Sequence, residues 1–194
     1  PPPAPSTTPP SRTTPAFREY PGKQRAWNAQ SIVVTPGRVI APVGSEVIVL
    51  AGVCGKDGYL RSNQRVEWTL AEGSVGQIVD HGKTEFWQWF RGADNRPRKL
   101  SVSNSVGATS RNYTRLTRGT PTSADDVNVL RGQTWVSVTS PLEGTSYVNA
   151  FCDCVYGWDT RQQTSLVHWI DAQWSFPPPA INPVPEGVGS ARRA

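Results

Sequence analysis

The chain has 194 residues, no methionine, eight tryptophans, 18 prolines and a net charge of +5. That length builds one domain with a substantial core or two small ones, and no apolar run reaches the ~20 residues of a membrane-spanning helix. Arg12, Arg18, Lys23 and Arg25 against Glu19 give residues 1–28 a net +3, and Arg192 and Arg193 against Glu186 give residues 177–194 a net +1. The middle is left with +1 and lacks the basic stripe of a nucleic-acid binder.

The first 28 residues open with PPPAPSTTPPSRTTPAF and the last 18 with PPPAINPVPEG. Segments this rich in Pro, Ser, Thr and Gly cannot build a core and favour polyproline-like conformations. Residues 1–28 and 177–194 are therefore read as extended arms or linkers around a folded unit at 29–176. The lack of methionine fits a processed exported chain or a piece of a longer one. Phe17, Tyr20 and Trp27 are the apolar anchors by which the first arm is expected to dock on a neighbouring subunit.

Between the arms the signals are those of short strands. SIVVT at 31–35 ends at Pro36-Gly37, and RVIAPVG carries an edge-strand proline at Pro42. EVIVLAGV at 46–53 is a strong strand. RVEWTL at 65–70 alternates Val66, Trp68 and Leu70 with polar residues, which places Trp68 in the core. VGQIVD at 75–80 and KLSVSN at 99–104 are short and β-like. GQTWVSVTSPLEGTSYVNAFCDC, from 132, reads as a hairpin: Val136 and Val138 alternate on one strand, Pro141 to Gly144 make the turn, and Val148 and Ala150 alternate on the other. SLVHWIDAQWSF at 165–176 is the last strand. Residues 81–125 fit least well and read as a large insertion. Its aromatic knot TEFWQWFRG places Phe86, Trp87, Trp89 and Phe90 on both faces of any strand. That knot is either a plug on the sandwich, a protein contact or a sugar-stacking platform.

No helical period with caps is present, so the fold class is all-β, a sandwich. Val47, Val49, Ala51 and Val53, then Val66, Trp68 and Leu70, then Val136, Val138, Val148 and Ala150 follow a known pattern. On these positions residues 31–175 resemble a bacterial Ig-like domain of the invasin/intimin type, as found near the N-terminus of large repeat-bearing surface proteins of planctomycete-type bacteria. The resemblance implies an Ig-like β-sandwich and an extracytoplasmic module, at the cell surface or secreted, serving adhesion, spacing or assembly, with no catalytic residues and no cofactor. Its partners would be protein subunits, in a homo- or hetero-oligomeric assembly. A carbohydrate-binding sandwich using Phe86 to Phe90 is the alternative.

Ig-like sandwiches often bridge their second and sixth strands. By that resemblance Cys54 pairs with Cys152, which shares a face with Val148 and Ala150, and Cys154 is the spare thiol. Reduced, half-buried thiols are the competing reading, because Cys54 is out of step with the inward Val53. A zinc site of the three cysteines with His81 or His168 matches no usual spacing, so no metal is assigned. Asp153 and Asp159 specify no calcium loop. No G-x-S-x-G, HExxH, P-loop or dinucleotide fingerprint occurs, and an enzyme is not expected.

Overall fold

The computed structural model describes residues 29–82, 97–117 and 126–171, and everything below concerns these. The arms, with Phe17, Tyr20 and Trp27, the aromatic knot Phe86, Trp87, Trp89 and Phe90, and Trp174 lie outside the described residues.

The fold is all-β, a sandwich of two sheets, with no helix among the described residues. The first sheet has four strands in the order β1 (Ala29–Thr35), β3 (Glu46–Gly55), β10 (Gln133–Thr139), β5 (Gln77–His81). The second has six in the order β2 (Arg38–Pro42), β12 (Gln162–Ile170), β11 (Gly144–Phe151), β4 (Arg65–Leu70), β7 (Asn104–Ala108), β6 (Arg98–Lys99). All pairings are antiparallel except β2 with β12. The first run of chain serves both sheets. It pairs with β3 as far as Thr35, turns at Pro36-Gly37, where the Thr35–Pro36 peptide is cis, and pairs with β12 from Arg38. Pro42 ends the edge strand β2, where a missing donor does no harm.

The alternation read in the sequence is the alternation of burial. Val47, Val49, Ala51 and Val53 of β3 face Val66 and Trp68 of β4, Val148 and Ala150 of β11, and Val167 and Trp169 of β12 in one continuous core. Full burial of each of these valines stabilises by roughly 1.5–3 kcal/mol. Trp169 lies in that core with its Nε1 donating to Ser146 Oγ at 2.8 Å, and the Ser146 hydroxyl in turn donates to the carbonyl of Val75.

Two expectations change. The stretch from 132 to 154 does contain two strands, but they are not a hairpin. β10 pairs with β3 and β5 in one sheet, and β11 pairs with β12 and β4 in the other. Residues 140–143 carry the chain across the sandwich, so Val136 and Val138 meet Val148 and Ala150 through the core instead of side by side. Alternation tells which face of a strand is buried and is silent on its hydrogen-bonded neighbour.

The second concerns residues 81–125, read as an insertion between strands. The described part of this segment is built into the sandwich. β7 pairs with β4 along its length, with Ser105 opposite Trp68, and β6 extends the sheet beyond it. Further on, β8 (Thr114–Leu116) and β9 (Val127–Val129) pair with each other. Leu116, Val127 and Val129 cover Ile48, Leu50 and Trp135 in a second, smaller core on the outer face of the first sheet. This explains why β10 is buried almost throughout while its sequence alternates. Its outer face carries Trp135 under the β8–β9 hairpin and Ser137, which donates to the Glu46 carboxylate.

Candidate functional site

The cysteines organise one end of the sandwich, though not as expected. Cys54 does not bridge to Cys152. The disulfide joins Cys152 to Cys154, with 5.2 Å between their Cα atoms, and Cys54 is a free thiol. The reason is the parity of β3. Val53 points into the core, so Cys54 points away from it, whereas Cys152 continues the inward set of Val148 and Ala150 and is fully buried. Two of the three thiols are thereby removed from any zinc set, and no cluster of three or more metal-ligating side chains occurs among the described residues.

Cys54 is half-buried at the end of β3. Burial pushes its thiol above the ordinary range, with Arg61 pulling the other way and Asp57 adding to the rise. The Arg61 side chain is buried and donates from Nη2 to Asp57 Oδ2 at 2.7 Å. That hydrogen bond holds the Asp57 carboxyl below the usual carboxylate range. This pair closes the β3–β4 loop, and its geometry is that of a structural clasp.

The loop from β11 to β12 is different, because it exposes what a fold normally hides. Cys152 and Val155 are buried and root it in the core. Cys152 N–H donates to Arg161 O at 2.9 Å, and Arg161 N–H to Gly157 O at 3.0 Å. Thr160 ties the loop to the first strand twice: Ile32 N–H donates to Thr160 O, and Thr160 Oγ1 donates to Gln30 O, both at 2.8 Å. On this framework Tyr156 is 93% exposed and Trp158 77% exposed. The Arg161 guanidinium lies 3.3 Å from the centroid of the Trp158 ring and 5.2 Å from that of Phe151. A cation over an indole face is attractive by about 0.5–1 kcal/mol at exposed sites. It fixes one face of Trp158 and leaves the rest of the ring to solvent. Asp153 and Asp159, both exposed, precede and follow the two aromatics in the chain.

The structure thus brings together Phe151, Trp158 and Arg161 and leaves Tyr156 exposed two residues before Trp158, none of them among the residues expected to make contacts. The signal was in VYGWDTR: two large aromatics around a glycine, with polar neighbours and no alternation to bury them. The expected contact residues Phe17, Tyr20, Trp27, Phe86, Trp87, Trp89 and Phe90 lie outside the described residues.

No family model and no curated protein matches the chain. Among solved structures it is similar to domains 4 and 5 of the S-layer protein SbsC, at 9% identity and a TM-score of 0.39, over 73% of this chain. The chain spans 52% of the length of that structure. It is also similar to a β-glycosidase from Bacteroides vulgatus, at 8% identity and a TM-score of 0.40, over 72% of this chain and 14% of that one. A cohesin module from a Clostridium perfringens family 33 glycoside hydrolase is similar at 11% identity and a TM-score of 0.33, over 74% of this chain and 99% of that one.

Proposed function

We propose that this chain is a non-catalytic structural module of an extracytoplasmic protein assembly, an Ig-like sandwich that holds a protein partner at one end. The observation that carries the reading is the exposure of Tyr156 and Trp158 on a loop locked by a disulfide and by Thr160. Tyr, Trp and Arg are the residues most enriched at binding hot spots, and a loop already ordered loses little entropy on docking. The strand order supports the Ig-like part: β1-β3-β10-β5 facing β12-β11-β4 is the arrangement of seven-stranded Ig sandwiches, A-B-E-D against G-F-C. The disulfide supports an oxidising compartment, since cytosolic proteins rarely keep one.

The test is capture of protein from the surface fraction of the source cells by the full chain and by its Tyr156→Ala/Trp158→Ala variant. The variant is expected to fold normally and to lose capture at least tenfold, as hot-spot truncation does. Equal capture by both proteins rejects the reading. Titration with soluble glycans is expected to leave the tryptophan emission unchanged. Quenching that disappears in the variant would transfer the site to carbohydrate binding.

A further inference from the structure

We propose that the Tyr156–Trp158 platform is the receptor for the proline-rich N-terminal arm, residues 1–28, of a second copy of this chain. The inference rests on the assembly reading above and names its partner. Three observations converge on it.

The first is chemistry. Eight of the arm's 28 residues are proline, and proline-rich segments dock on exposed aromatic side chains because their polyproline conformation is already ordered. Trp158, held from one side by Arg161, and Tyr156, two residues earlier in the chain, are such side chains. The second is charge. The arm carries a net +3, and the loop at 152–161 carries the exposed Asp153 and Asp159 against the one cation Arg161, a net −1. Opposite charge at the rim favours encounter and fixes orientation.

The third is position. The arm joins the described fold at Ala29, and the next residue, Gln30, accepts the hydrogen bond from Thr160 of the platform loop. The root of the arm and the receptor therefore lie side by side. When two copies meet with these ends facing, each arm starts beside the other's platform. The exchange is reciprocal, so one two-fold contact forms two identical arm–platform pairs.

Sedimentation velocity on the 194-residue chain tests this. Wild type is expected to dimerise reversibly. A platform variant, Tyr156→Ala/Trp158→Ala, and an arm variant, Phe17→Ala/Tyr20→Ala/Trp27→Ala, are each expected to associate at least tenfold more weakly. Mixed in equal amounts they are expected to form a heterodimer, because one supplies an intact arm and the other an intact platform. A labelled peptide of residues 1–28 is expected to gain fluorescence anisotropy with the arm variant and not with the platform variant. A wild type that is monomeric at every concentration overturns the proposal, as does a mixture that stays monomeric or a peptide that binds both variants equally. If the proposal fails in these ways while the platform variant still loses capture of surface protein, the arm is the wrong occupant and the assembly reading stands.

Discussion

Gly132 shows how little freedom single positions have here. Its φ is +92°, and a Cβ at this position would lie 2.6 Å from the Leu60 Cβ. Gly132→Ala combines left-handed strain with a clash against a buried side chain, and is expected to lower stability by about 2–4 kcal/mol in urea denaturation. Cys54 gives a pH dependence of definite sign. Its thiol is raised by burial, so the folded state keeps a proton that the unfolded chain releases. Stability from this group is therefore whole below the ordinary thiol range and falls as pH rises through and above it. Wild type is expected to lose more stability than Cys54→Ala between pH 7 and pH 9, measured by urea midpoints. Alkylation of native Cys54 at pH 8 is expected to be slower than that of a free thiol, since the thiolate is the reactive form. The parity that decides the disulfide was legible at this scale: Val53 inward means Cys54 outward. The expectation of a Cys54–Cys152 bridge set that parity aside in favour of a resemblance, and the local pair Cys152–Cys154 was the result.

Among elements, the strands with strict alternation were read well. β1, β3, β4, β10 and β11 fall where alternation and the Gly and Pro stops place them, because a half-buried strand must repeat every two residues, whereas the last strand, read at 165–176, is β12 at Gln162–Ile170. β7, β8 and β9 were missed for physical reasons. NSVGA is buried on both sides at its centre, and TRL and VNV are too short to show a period. The aromatic platform was missed because it sits in a loop, where no periodicity separates buried from exposed. The β8–β9 hairpin is a cover with its own small core, so it should detach without unfolding the sandwich. Val129→Asp places a carboxylate against Leu50 and Trp135. Amides of β8 and β9 are then expected to exchange rapidly with deuterium while those of β3 and β11 stay protected. The disulfide is likewise a local device. It closes a loop with a sequence separation of only 2, and the chain-entropy model gives such a loop about 1.5 kcal/mol. Reduction is expected to lower the unfolding free energy measured by urea denaturation by that amount and to leave the β-sheet circular dichroism intact.

For the whole molecule, the fold class follows from composition and pattern, since short alternating strands without helical stripes have few ways to close a core other than two facing sheets. Which strand joins which sheet does not follow, because both sheets need the same inward apolar row. The finished arrangement ranks its parts. β10 lies between β3 and β5 in its sheet and is covered on both faces, while β6 is a two-residue exposed edge. Native-state hydrogen exchange is expected to place the slowest amides in β10 and β3 and the fastest strand amides in β6. The strand shared between the sheets has a mechanical meaning. Ala29 enters at the pole of the aromatic loop, and Ile170 leaves at the other, where Asp171 N–H donates to Glu143. Tension applied between these two points pulls β2 and β12 in opposite directions along their common axis. Being parallel neighbours with five residue pairs in register from Arg38–Leu166 to Pro42–Ile170, they resist by shear, all their hydrogen bonds loaded together, instead of peeling one by one. A load applied between its ends would thus be carried by the first and last strands and spare the core.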